Sequence, residues 1–206
     1  MRRAPHSAWI LLLVGAASLF MDGCSLLGGR TREQKILDVL QSTDQARKHE
    51  MLLELKGEVS PAVLTAVEGV LTTDPDPGAR VFAADALGRL AARGTVAQLR
   101  RSAREDSDEL VRARATGALV RILGPGAAED LQFSLENDRN PAVRIEAIRL
   151  AADALGTKQA AQLIVEGLRD DVPRVRLAAY IALRDLTGQD ISPNDYERWL
   201  EHVNGL

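Results

Sequence analysis

Asp138-Arg139-Asn140-Pro141-Ala142-Val143-Arg144-Ile145-Glu146-Ala147 is one of four copies of a pattern that decides the fold. Asp74, Asp106, Asp138 and Asp170 stand 32 residues apart, and six positions after each comes an arginine: Arg80, Arg112, Arg144 and Arg176. Four copies in one register mean stacked structural units. One place after the arginine stand Val81, Ala113, Ile145 and Leu177, three places after it Ala83, Ala115, Ala147 and Ala179. Seven places after it stand Leu87, Leu119, Ala151 and Leu183, and ten places after it Leu90, Ile122, Ala154 and Leu186. We read these offsets as the apolar stripe of one helix per unit, since a helical turn takes about 3.6 residues. An upstream helix is marked by Leu99, Leu131 and Leu163, with Val96, Ala128 and Ala160 three residues earlier.

The punctuation agrees. Pro77, Pro141 and Pro173 fall in the first turn of the second helix, where a missing amide hydrogen costs nothing, and Asp76, Asp108 and Asn140 precede that turn as N-caps. Gly94, Gly124-Pro125-Gly126 and Gly156 separate one unit from the next. A helix pair cannot bury its stripe alone, but neighbours on both sides merge the stripes into one core. The expected fold is therefore all-α: a solenoid of antiparallel helix pairs with about four full repeats of 32 residues, a degenerate leading unit and a C-terminal capping helix. An aromatic content of 3% suits close helix packing.

These residues resemble the HEAT repeats, in the short bacterial form called phycobilisome-lyase-type HEAT-like repeats. The resemblance rests on Asp-x-x-Pro-x-Val-Arg-x-x-Ala-x-x-Ala-Leu, seen from Asp138 and again from Asp170 to Leu183, and it covers about residues 60 to 187. Glu109 replaces the proline in the second copy. The leading unit, near residues 32 to 57, keeps helical spacing through Ile36, Leu37, Leu40, Leu52, Leu53 and Leu55 but lacks the aspartate and has Lys48 where the arginine would fall.

The Asp and Arg ladder has two readings. As scaffold, each aspartate accepts hydrogen bonds from loop amides or the next helix start, and each arginine reaches a carboxylate or carbonyl of an adjacent repeat. As a site, the ladder grips a ligand. A residue that every unit needs holds units together more readily than it addresses a partner, so we favour the scaffold.

Arg2 and Arg3 precede an apolar run of about 14 residues from Ala8 to Met21, followed by Gly23 and the chain's single cysteine, Cys24. The run is short for a membrane span, which takes about 20 residues, and suits the core of a signal peptide. The segment resembles a bacterial lipoprotein signal, with Met21 and Asp22 in place of the usual leucine and small residue. That resemblance implies a signal peptide at 1–23, lipidation of Cys24, a tether at 24–31 and a repeat domain at 32–206, exported and lipid-anchored to a bacterial membrane. With one cysteine there is no internal disulfide and no thiolate zinc site.

The chain carries 26 basic and 29 acidic residues, and loss of residues 1–23 would leave 24 and 28, a poor balance for a nucleic-acid partner. Histidine occurs only at His6, His49 and His202, which builds neither a triad nor a His-Glu-x-x-His metal motif. His49-Glu50 resembles the His-Glu pairs of a HEAT-repeat di-iron hydroxylase, whose chemistry needs several facing pairs. No catalytic residue, metal or cofactor is expected.

Ser192 and Pro193 read as the start of a last helix reaching about Val203, in which Trp199, Tyr196 and Leu200 cover the final repeat; an aromatic docking site is the sharper alternative. In HEAT-like stacks the second helices line the concave side, so partner-binding residues are sought at their varied positions. These are Phe82, Arg114, Glu146 and Ala178; Asp85, Gly117, Arg149 and Ile181; and Arg89, Arg121, Asp153 and Asp185. Phe82 is the expected exposed aromatic, with Arg89, Arg114, Arg121, Arg149, Asp153 and Asp185 as charged contacts. Three function classes follow: an anchored scaffold holding a protein or peptide in its groove, which we favour; a structural or assembly-chaperone subunit of an envelope complex; and a lyase-type enzyme.

Overall fold

The computed structural model describes residues 30–206; the expected signal peptide and Cys24 lie outside the described residues. The chain divides into two compact units between Lys35 and Ile36, a boundary that falls within its first described helix. Its helices are α1 (Arg32–Leu40), α2 (Gln45–Glu54), α3 (Pro61–Thr73), α4 (Pro77–Arg89), α5 (Val96–Glu105), α6 (Glu109–Leu123), α7 (Ala128–Asn137), α8 (Pro141–Ala154), α9 (Thr157–Ile164), α10 (Pro173–Thr187) and α11 (Tyr196–Gly205). There is no strand among the described residues. Successive helices pair into an all-α solenoid of four full repeats from α3/α4 to α9/α10, with α1 and α2 at the place of the degenerate leading unit and α11 at the end. None of these helices is long and apolar enough to cross a membrane.

Local chemistry starts each second helix. Asp76 accepts the amides of Gly78 and Ala79, both at 3.1 Å, and Asp108 those of Leu110 and Val111 at 2.9 and 3.2 Å. Asn140 accepts Ala142 N at 2.8 Å. α6 opens on Glu109 without a proline, so its cap alone fixes the start, while α10 opens on Pro173 with no side-chain cap.

The core corrects the expected stripe. Offsets three and seven from the arginine are fully buried in every repeat, but Val81, Ala113 and Ile145 are only half-buried and Leu177 is 56% exposed. At about 100° per residue, offset one lies some 160° or more from offsets three and ten. Its place in the core is taken by the residue before the arginine: Ala79, Val111, Val143 and Val175, all 2% exposed or less. Leu163 likewise yields to Ile164, which is fully buried, and Leu53 in the leading unit is 53% exposed.

Neighbouring second helices pack on one another far more closely than neighbouring first helices, which puts α4, α6, α8 and α10 on the inner layer of the stack. Gly88 lets α4 and α6 approach closely: a Cβ there would lie 3.0 Å from both Cα and Cβ of Ala118. Buried apolar side chains form two clusters, one from Ile36 to Ile122 and one from Leu131 to Val203. Polar groups cross the boundary between them, where Thr116 and Ser134 share a buried hydroxyl hydrogen bond of 3.1 Å.

The last repeat departs from the others. Short 3₁₀ segments precede α5 (Arg93–Thr95) and α7 (Gly124–Ala127), whereas in the fourth repeat the segment follows α9, at Val165–Arg169. It packs tightly on α10 because Gly167 has no side chain: a Cβ there would sit 2.9 Å from that of Ala179. α11 begins at Tyr196, three residues after the expected Pro193, because Asp195 caps it by accepting Arg198 N, while Ser192 is held in a turn that accepts Asp195 N at 3.0 Å. Trp199 is fully buried, and α11 docks against α9 and the 165–169 segment.

Candidate functional site

The ladder residues meet across repeat boundaries. Arg80 forks onto Asp106 at 2.9 and 2.8 Å, Arg112 onto Asp138 at 2.7 and 2.9 Å, and Arg144 onto Asp170 at 2.7 and 2.8 Å. Each guanidinium also donates Nη1 to the backbone carbonyl of its own repeat's aspartate, as Arg176 does to Asp170 O at 2.7 Å. Each aspartate accepts the amide two residues on, which shapes the turn into the second helix. Lys48 takes the arginine's part in the leading unit by pairing with Asp74, both side chains 5% exposed.

Electrostatics follow the geometry. Burial pushes Asp106 upward, but the Arg80 guanidinium and the Asp108 amide outweigh it and hold the carboxyl below its ordinary value. Asp170 is held low in the same way, against burial, by Arg144 and the Val172 amide. The facing carboxylates raise Arg80, Arg112 and Arg144 above the usual arginine value.

On the inner layer, α6 and α8 frame a shallow recess of about 400 Å³. Leu110, Ala113, Ala142 and Val143 supply apolar surface, and Glu109, Arg114, Glu146 and Arg149 supply charge. Two of the expected contacts, Arg114 and Arg149, thus come together. Arg149 is clamped between Glu146 (2.6 and 2.9 Å) and Asp153 (2.7 Å), and Glu146 raises its guanidinium above the ordinary value. Arg114 is exposed and makes no hydrogen bond or ion pair among the described residues. Leu110, 60% exposed, stands beside it and was not among the expected contacts, which were sought only at positions after the ladder arginine.

The other expected contacts do not line the recess and are held by neighbours. Arg89 and Arg121 share Asp85, the latter at 2.6 Å, and Arg89 also donates to Leu52 O at 2.6 Å, so it closes the end of α2. Phe82 is half-buried rather than exposed: its ring lies 4.8 Å from that of His49, whose Nε2 is 2.7 Å from Asp76 Oδ2. His49 therefore ties α2 to the start of α4. Asp153 pairs with Arg149, and Asp185 lies 3.5 Å from Arg184. No cluster of three or more metal-binding side chains occurs among the described residues.

Comparisons with known proteins agree with this architecture. Comparison with curated proteins gave no match. A solved structure titled as the complex of CpcE and CpcF of phycocyanin lyase from Nostoc sp. PCC7120 contains a chain that is 25% identical, with a TM-score of 0.54 over 79% of this chain and 68% of that one. The sequence profile of HEAT repeats matches residues 33–120 and 128–195, and its break falls on the Gly124–Ala127 turn. With most of its length so matched, its helix pairs stacked and its Asp and Arg ladder joining each pair to the next, the chain belongs to the HEAT-repeat family.

Proposed function

We propose that the protein is a lipid-anchored scaffold of the bacterial envelope that holds a protein or peptide on its inner helix layer. The observation that carries this reading is Arg114: an exposed guanidinium with no described partner, beside the exposed Leu110, at a recess with apolar walls. The chemistry it fits is a segment offering a carboxylate next to an apolar side chain. Arg2, Arg3, the apolar run from Ala8 and Cys24 support export and lipidation. We read the chain as non-enzymatic, since His49 and Asp76 are already engaged in joining α2 to α4.

A pull-down from detergent-solubilised membranes tests the scaffold: a stoichiometric protein partner, lost on Arg114→Glu, is expected. A chromophore that co-purifies without a protein partner would favour the lyase named for the similar structure. Labelled palmitate should enter the protein at Cys24, and Cys24→Ala should release it from the membrane; a Cys24→Ala form that stays bound removes the anchor. The neighbouring structure, a complex of two proteins, gives weight to a second reading as a subunit of an envelope assembly.

A further inference from the structure

We propose that the C-terminal edge of the inner layer, at Arg176, Leu177 and Ile181, receives an acidic turn and the helix that follows it from a second, different protein. Every interior ladder arginine divides its donors in one way: Nη1 to the carbonyl of its own repeat, Nε and Nη2 to the carboxylate of the next. Arg176 keeps the first half, donating Nη1 to Asp170 O at 2.7 Å and Asp171 O at 3.0 Å, so its guanidinium is held in the same pose. Its Nε and Nη2 edge meets no acceptor among the described residues, and the residue 26 places on, where a ladder aspartate would stand, is His202. A fixed guanidinium edge of this kind is shaped for one carboxylate, bound through two parallel hydrogen bonds.

The apolar surface beside it points the same way. Val81, Ala113 and Ile145 are half-buried within the stack, but the equivalent Leu177 is 56% exposed. Ile181, 41% exposed, stands where interior repeats carry Asp85, Gly117 and Arg149. α11 docks on α9 and residues 165–169 and sets Trp199 edge-on to Tyr180 of α10, with 6.5 Å between ring centroids, yet Leu177 and Ile181 of that same helix stay exposed. Among the described residues α11 thus leaves Leu177, Ile181 and the Nε edge of Arg176 without a neighbour.

The ladder of a second copy offers this edge no free carboxylate. Asp74, Asp106, Asp138 and Asp170 already have their cations in Lys48, Arg80, Arg112 and Arg144. At the leading end, position 42, 32 residues before Asp74, is Ser42; its hydroxyl accepts Asp44 N at 3.3 Å and preserves the turn without offering a charge. Head-to-tail growth through the ladder would lack a carboxylate at each joint, which guards against open filaments. The occupant is therefore a protein with an aspartate a few residues before an amphipathic helix whose apolar side covers Leu177 and Ile181.

The test places a photo-crosslinking amino acid at Leu177, with a control at the exposed outer-layer residue Gln132, in the full chain within its native membrane. Crosslinking at position 177 should give one heterologous adduct that maps to a turn bearing aspartate. Arg176→Asp should lower its yield at least about tenfold, and reversing the partner's aspartate to arginine should restore it. Arg176→Gln, which adds no like charge, should lose the adduct while staying folded, with only the small drop in melting temperature that follows from losing its bonds to the Asp170 and Asp171 carbonyls. The proposal is overturned by no adduct at 177, by an adduct with lipid or with a second copy, or by an adduct indifferent to the charge at 176.

Discussion

Arg112 holds Asp138 through two hydrogen bonds of 2.7 and 2.9 Å, with 2% and 4% of the two side chains exposed, the most enclosed arginine–aspartate pair of the ladder. A buried pair of this kind resists the loss of one partner more than it adds net stability, because the remaining charge is left unpaired in a dry site. Arg112→Ala should therefore cost about 3–5 kcal/mol in urea unfolding. Replacing both residues with apolar ones of similar size should recover a large part of that loss. Arg176→Ala, which strands no carboxylate, should cost about 1 kcal/mol. Equal losses at 112 and 176 would contradict this account of the ladder.

Acid should weaken the stack over a defined range. The folded carboxyls of Asp106 and Asp170 lie below the ordinary value, which is about 3.9 in the unfolded chain. Their contribution is fully present above that value and disappears as pH falls through the folded values, because only the unfolded chain has by then taken up the protons. Urea midpoints should change little between about pH 7 and 5 from this source and fall below about pH 4. Asp106→Asn should be less stable at pH 7 yet lose less on further acidification; an unaltered acid slope would exclude Asp106 as a contributor.

Gly167 should not tolerate a methyl group. A Cβ there would lie 2.9 Å from that of Ala179 and 3.3 Å from Ile148 Cδ1, and the Ala179 Cβ is fixed to the α10 backbone. Gly167→Ala should destabilise by about 1–3 kcal/mol, the usual range for overpacking. Ala179→Gly in the same chain should relieve the clash, so the double variant should melt above Gly167→Ala alone, less the helix-propensity loss of about 1 kcal/mol. No recovery would place the strain elsewhere.

Much of this was legible because a repeated pattern averages out local accidents. The recurrence of Asp and Arg set the repeat length and the helix pairs and put Lys48 at the arginine's place, all of which depend on spacing alone; that Lys48 pairs with Asp74 emerged only in the fold. The stripe was misplaced by two positions at its start, since Val81, Ala113, Ile145 and Leu177 are as apolar as the true core residues Ala79, Val111, Val143 and Val175; only the helical angle separates them. The shifted 3₁₀ segment of the fourth repeat depends on contact between Gly167 and Ala179, which no local pattern encodes. Site residues were harder still. A guanidinium is free or engaged according to what lies across the next helix, and Arg89, Arg114 and Arg121 look alike in sequence.

That difference yields the sharpest prediction for the inner layer. Arg114 makes no described hydrogen bond or ion pair, so Arg114→Glu should leave the melting temperature nearly unchanged, within about 0.5 kcal/mol, as for ordinary surface substitutions. Arg121 shares Asp85 with Arg89 across the α4/α6 boundary, so Arg121→Glu sets two carboxylates against each other there. Because these groups are partly solvated, the loss should be modest, about 1 kcal/mol, and should shrink as salt is added. Binding should separate in the opposite sense: partner capture should fall sharply for Arg114→Glu and only slightly for Arg121→Glu. Measuring both variants by thermal melting and by pull-down against the same partner distinguishes a contact residue from a structural one. If capture depends on Arg121 and ignores Arg114, the binding surface lies along the Asp85 network rather than in the recess between α6 and α8.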